Sequence, residues 1–456
     1  MEISLKKFSV DVSLLSKEDR EVFDILSEAV ALVVPLYAKQ KNLAHEGGNF
    51  YSHDASRDEI QKAAENNPQI LSPYTFVERD ESGSLIAIPY HEKFKKELTE
   101  ISSLLKKAAS ITLDGVMQAY LEARAKDLLQ DTYEASNILW LKTESSTIGF
   151  VIGAFDRYHD RLFFEKRAYT GWIGILDQEW TEEIDLFKEN VLASGQVYLL
   201  DAKEIRVSDV KIRVEDSAIV AGLDADFLFV SNNLPSSADI STVEKYGTMC
   251  TVFKPMVEWR FSNWIFPVFE ALFAESRQGY LSKDELRTAF MRVSSFDEIC
   301  HSLMRYGDAT QRLQEILAYF DEMYGDILTV KAAMHLFARG VLSRKELEAV
   351  LVVELCQALY YITFSEKRAQ LNSLAMGYTY LLSFLLEREG VRQTEKGFDV
   401  DIQKTLFLVE ELAQNIEYHL AIASRVETKN FLERFQSQDL RRYIHSFLGD
   451  MPRDKE

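Results

Sequence analysis

Positive charge is in short supply in this sequence: 52 lysines and arginines face 72 aspartates and glutamates, for a formal net charge of −20. A surface with that balance repels phosphate backbones and argues against a nucleic-acid partner. Cysteine is scarce too. Cys250, Cys300 and Cys356 are the three present. Odd in number and widely spaced, they make neither a disulfide framework nor a C-x-x-C metal site, so a reducing cytoplasm is the expected setting. Long apolar runs are missing. The most apolar early stretch, AVALVVPLYA (29–38), is too short to span a bilayer and contains Pro35. The opening MEISLKKFSV carries no apolar signal-peptide segment. Membrane insertion is therefore not expected. No Gly-rich phosphate loop, nucleophile elbow, internal repeat or low-complexity segment is evident.

What is present suits a folded, water-facing protein. The 456 residues are 47% hydrophobic and 27% charged, too long for one compact core, so two or three lobes are expected. The first part is mixed. Capped helices are predicted at 16–34 (Ser16, Asp19) and 56–64 (Ser56, Glu59), a hairpin at 75–90, and helices at 91–110 and 113–130. Strand signals follow at 137–142, 147–155, 169–176, 196–202, 211–222 and 226–235. Beyond about residue 255, helical periodicity runs through 259–275, 282–293, 296–305, 309–339, 343–364 and 368–389. A turn or hairpin at 390–401 and helices to about 447 complete the chain. The predicted class is α+β: a mixed lobe over 1–245 with a twisted sheet or partial barrel, a mainly helical lobe over 246–456, and a cleft between them. The aromatic-rich EWRFSNWIF (258–266) is expected in the core. HDR (159–161) and the Arg441–Arg442 pair are expected at the surface.

One stretch carries chemistry. Residues 294–303 read SSFDEICHSL. With His in place of Asp297 it would contain H-E-x-x-H, in which two imidazoles one helical turn apart bind zinc and the intervening Glu activates the attacking water. Here Glu298 and His301 hold the second and fifth places, and Glu322 on a following helix can supply a third ligand. A plainer account is available. Ser294-x-x-Asp297 and Ser295-x-x-Glu298 both match a capping box, and acids in a first helical turn complement the helix dipole without any metal.

The wider sequence bears on that choice. GGNFYSHDASRDEIQKA is similar to G-x-NFYP-x-D, and FVERDESGSLIAIPYHEKFKKEL to a charged turn, V-x-PYH and a helix. LEARAKDLLQDTYEASNILWL is similar to a long helix leading into a sheet. IGAFDRYHDRLFFEKRAYTGWIGI is similar to IG-x-x-E-x-Y-E-D-x-LFGYKA-x-FE, and SNNLPSS to an N-L-P-N turn. In this order they resemble the dipeptidyl peptidase III family of zinc peptidases, in particular its shorter bacterial members, over nearly the whole chain. The resemblance implies two lobes around a cleft, zinc on the helical lobe, short peptides as ligands, and removal of dipeptides from peptide N-termini. It places Glu298 as general base, with His301 and Glu322 (in FDEMYGD, against E-E-x-x-A-[D/E]) as metal ligands. Tyr158 would stabilise the transition state, Asp156 would hold the peptide amine, and Asn233 would contact the peptide backbone.

Several places depart from the pattern: Asp156 stands where the family has a Glu, and the glycines that follow the motif's last His are absent after His301. Asp297 stands where the first zinc-binding His belongs. Gln370 occupies the place of a catalytic His in A-H-G-x-x-x-A, and Ser236 replaces the second Asn of the turn. Aspartate is shorter than histidine and is expected to fall short of a metal set by His301 and Glu322. Two carboxylates and one imidazole make a harder ligand set, so the cofactor is zinc or another divalent metal, or none. Gln370 cannot move protons. The expectation is a cytoplasmic, metallopeptidase-like protein that binds peptides with weakened or lost turnover, a pseudoenzyme. The alternative is an active metal-dependent exopeptidase.

Overall fold

A computed structural model describes residues 4–194, 209–235, 239–273, 279–303, 309–364, 372–435 and 438–448. The chain forms two compact units, Met1–Gln178 with Lys211–Pro255, and Glu179–Val210 with Met256–Glu456. The class is α+β, as the sequence predicts.

The first unit is built on a curled six-stranded sheet. Its strands are β1 (Leu5–Lys7), β4 (Ile148–Asp156), β5 (Ala168–Leu176), β6 (Val210–Gly222), β7 (Ser231–Leu234) and β8 (Thr248–Phe253); β2 (Thr75–Arg79) and β3 (Leu85–Pro89) form a separate hairpin. The order is β4-β5-β6-β8-β7, with β1 also on β6. β4 and β5 are buried along almost their whole length, which is why they read as near-continuous apolar runs and do not alternate. The Lys17–Ala31 helix packs against both. Its N-terminus is closed by Ser16, whose hydroxyl accepts from Asp19 N at 3.0 Å, and its inner face is Val22, Phe23, Ile25, Leu26, Ala29 and Val30, the spacing of one helical side. Gly149 on β4 makes room for a buried Arg213–Glu215 pair (2.9 Å): a Cβ there would lie 1.7 Å from Glu215 Oε1.

Several expectations need correction. Residues 137–142 are not a strand; Glu134–Trp140 is a helix. Its β-like composition is overridden by two buried polar contacts. Asp127 accepts from Ser136 N at 3.1 Å near the helix start, and Arg124 donates to Asn137 Oδ1 at 2.5 Å. Residues 226–235 are extended only at β7; before it comes a helix, Leu223–Phe227, ended by Leu228 in the left-handed region (φ 58°). Of HDR, only Arg161 is exposed; His159 and Asp160 are 3% and 0% exposed. The predicted strand at 196–202 lies outside the described residues.

Among its described residues the second unit is mainly helical, with a β9–β10 hairpin (Val391–Thr394, Gly397–Val400). Within 258–266, Phe261, Trp264 and Ile265 are buried, and Trp264 stacks on Tyr360 with ring centroids 4.2 Å apart. No helix among the described residues is long and apolar enough to cross a membrane.

Candidate functional site

The D-E-x-x-H stretch does not begin a helix. The helix that carries it, Lys283–Leu303, starts fourteen residues before Asp297, at a reciprocal capping box. There Ser282 Oγ accepts from Glu285 N at 3.3 Å, and Ser282 N donates to Glu285 Oε2 at 2.9 Å. The two predicted helices at 282–293 and 296–305 are thus one. Ser294 and Ser295 lie inside it, donating their hydroxyls to Phe290 O and Met291 O, each at 2.9 Å. They cap nothing, so Asp297 and Glu298 lie well inside the helix and gain nothing from its positive end. The capping account of these acids is thereby removed.

Asp297 and His301 are one turn apart and meet: Asp297 Oδ1 is 3.4 Å from His301 Nε2, and the two side chains are 17% and 19% exposed. Asp297 Oδ1 is itself buried with no hydrogen-bond partner. The Asp321–Ala338 helix crosses over this pair at Gly325. A Cβ on Gly325 would come within 2.4 Å of Asp297 Oδ1 and 2.8 Å of His301 Nε2. Asp297 thus brings an oxygen beside the imidazole nitrogen. Two donors about 2.0–2.1 Å from a tetrahedral metal sit about 3.3 Å apart. The observed separation, the orphaned oxygen and the space beside Gly325 all fit a divalent cation.

Nearby, the Asp321–Ala338 helix and the Arg344–Phe364 helix bring together a carboxyl pair. Asp326, 3% exposed, accepts from Gln357 Nε2 at 3.0 Å. Glu354, 6% exposed, is held well above the ordinary carboxyl range, first by burial and then by the charges of Asp326 and Asp297. Burial and the neighbouring negative charges thus favour its protonated form. The pair lines a cavity of about 20 Å³ among Leu351, Leu355, Leu381 and Leu412, room for about one water. Nothing in the sequence singled out Glu354; an acid in the apolar run LEAVLVVELCQAL was the available signal.

Glu298, half-buried, is turned about 100° round the helix from Asp297. Glu322 is the second residue of the Asp321–Ala338 helix, one turn before Gly325, and its side chain lies outside the described residues. Gln370 and Ser236 also lie outside them. Among the described residues no group of three or more His, Cys, Asp or Glu side chains forms a metal cluster.

The remaining candidates belong to the first unit. Asp156 ends β4 just past a register shift at Ala154. Asn232 Nδ2 donates to Asp156 Oδ2 and to both carboxylate oxygens of Asp224, each at 3.2 Å. Burial raises the Asp156 pKa and the Asn232 bond opposes that rise. Asn232, which the sequence reading passed over for its neighbour, is thus the residue that orients Asp156. Asn233 lies opposite Cys250 in the β7–β8 ladder, and its Oδ1 accepts from the Thr248 hydroxyl. Tyr158 stands in the turn after β4, 37% exposed, its ring against Phe164, Phe227 and Phe229 at centroid distances of 6.4, 5.8 and 5.4 Å. That turn is fastened from beneath. Asp160 accepts from the Tyr51 hydroxyl at 2.9 Å and from Leu162, Phe163, Glu165 and Lys166 N. His159 bonds the Tyr37 hydroxyl, which also donates to Asp226 at 2.6 Å. Burial pulls the imidazole down to about 4.

No family model matches the chain. It is 26% identical over 383 residues to Nudix hydrolase 3 of Arabidopsis thaliana, covering 82% of this chain and 48% of that protein, so it spans about half the length of the curated relative it matches. The structure of DPP III from Caldithrix abyssi superposes with a TM-score of 0.85 at 20% identity, covering 98% of this chain and 95% of that one. Dipeptidyl-peptidase III from Corallococcus sp. strain EGB gives 0.81 at 19%, covering 99% and 94%. Along nearly its whole length, this chain has the fold of the solved dipeptidyl peptidase III structures.

Proposed function

We propose that this protein binds short peptides by their free N-terminus and that its peptidase turnover is weakened or lost. The observation that carries the reading is a fold shared with dipeptidyl peptidase III over 98% of the chain, combined with aspartate at position 297. The relative named for Nudix hydrolysis matches over only 48% of its own length, so the activity in that name can reside in the unmatched half.

In this reading the Asp156 carboxylate, steadied by Asn232, receives the peptide amine, and Asn233 contacts the peptide backbone. The Tyr158 hydroxyl donates to the oxygen on which negative charge develops. Glu298 takes a proton from the attacking water. A divalent metal held by Asp297, His301 and Glu322 would polarise the scissile carbonyl. Gln370 offers hydrogen bonds and no proton relay, so release of the leaving group is the step most impaired. Calorimetry with tetra- to octapeptides tests the binding claim: free-amine peptides bind, and N-acetylation weakens them at least tenfold. Absence of heat with any short peptide overturns it.

The 3.4 Å approach of Asp297 to His301 favours a second reading, an active exopeptidase with an Asp/His/Glu metal site. It predicts release of N-terminal dipeptides by the metal-loaded protein and loss of that release in E298Q.

A further inference from the structure

The contact between the two helices at Gly325 asks for an explanation. A glycine in the interior of an 18-residue helix is unfavourable on propensity alone. Here its missing Cβ leaves a wedge bounded on one side by Asp297 Oδ1 and on the other by His301 Nε2. The Cβ of any other residue would fall 2.4 and 2.8 Å from those two atoms, which is the region a cation bridging them has to occupy. The oxygen facing the wedge is buried and makes no hydrogen bond. Helix packing alone accounts for a small residue at this crossing, but it leaves Asp297 Oδ1 without a hydrogen bond, its nearest polar contact being His301 Nε2 at 3.4 Å. A carboxylate at 297 is also shorter than the imidazole of the H-E-x-x-H pattern. A metal it shares with His301 must therefore sit closer to the Lys283–Leu303 helix, where only a residue without a side chain keeps the space open.

We propose that Gly325 is a positioning residue for a divalent-cation site, adapted to Asp297: it keeps the Cβ-sized space in which Asp297 and His301 together hold a metal. This rests on the metal-bearing fold underlying the proposed function, but not on turnover. The carboxylate–imidazole edge makes the site less selective for zinc over manganese than a pair of imidazoles would be.

The test uses the full chain, stripped with chelator and titrated calorimetrically with Zn²⁺ and with Mn²⁺ alone. One saturable site is expected. D297A and H301A each weaken it at least tenfold. G325A also weakens it at least tenfold while its unfolding midpoint is unchanged or raised. The atoms its methyl meets are the movable ends of two side chains, and alanine is the better helix former. In the D297H background, the ratio of zinc to manganese affinity rises at least tenfold, and G325A costs less than it does beside aspartate. A role in packing alone would move neither the ratio nor the metal affinity of a folded G325A protein. The inference is overturned if stripped protein takes up neither metal, or if folded G325A binds both as tightly as the unaltered chain. Peptide calorimetry on the same stripped sample separates the two claims. Peptide binding without metal binding sinks only this inference, and loss of both sinks the proposed function as well.

Discussion

Glu354 shows how strongly surroundings can redefine a single side chain. Its pKa lies far above that of an exposed glutamate, so the folded protein holds a proton that the unfolded chain releases above about pH 4.5. The folded state binds more protons, and stability falls as pH rises from that value toward the folded pKa. E354Q keeps a hydrogen-bonding end and needs no proton. It is expected to raise stability above pH 4.5 in chemical denaturation and to flatten the pH dependence of the helical unit. Asp156 is a different case: a carboxyl with one amide donor, Asn232, whose ionised form is also favoured by the positive charges of Arg167 and Arg157. D156N is expected to abolish the preference for free over acetylated peptide N-termini and to leave the fold intact. A peptide titration and a far-UV spectrum check both.

The Lys283–Leu303 helix illustrates a limit of local patterns. Three serines in it or at its edge match the same capping signature three residues before an acid, yet only Ser282 caps. Ser294 and Ser295 turn their hydroxyls back to carbonyls one turn earlier, as serines inside helices do. The contrast is measurable: S282A should cost about 1 kcal/mol in urea unfolding, and S294A and S295A about 0.5 kcal/mol or less each. Equal costs would mean that the helix starts where the acids are. The Glu134–Trp140 segment makes a related point. Its apolar and aromatic residues suit a strand, and Arg124 and Asp127, from a preceding helix, decide otherwise.

The molecule as a whole consists of two units with different chemistry, and acid should separate them. His159 sits against Tyr37, Phe227 and Asp226, with Lys41 and Arg161 adding positive potential. Its pKa falls from 6.5 to about 4 on folding. The unfolded chain takes up the proton first, so stability is lost as pH falls from 6.5 to 4, by about 3 kcal/mol in full. Scanning calorimetry at pH 7 and pH 4.5 should show the melting of the sheet-bearing unit moving down, and H159Q should reduce that shift. The amino-acid order alone was enough for the α+β class, with strands early and helices late, while the grouping of Glu179–Val210 with Met256–Glu456 follows from tertiary contacts. Hydrophobic periodicity, caps and turn residues act over a few neighbours and need no distant partner, and the 75–90 and 390–401 hairpins and the Arg344–Phe364 helix were legible for the same reason. The order of residues also flagged Asp297, Glu298 and His301 as a unit, because one helical turn is a local spacing. Whether His159 and Asp160 would be buried, and which of two adjacent asparagines would hold Asp156, depended on elements far apart in the chain. Gly325 lies 28 residues beyond Asp297 by number, and its value lies in an absent atom that matters only once two helices touch.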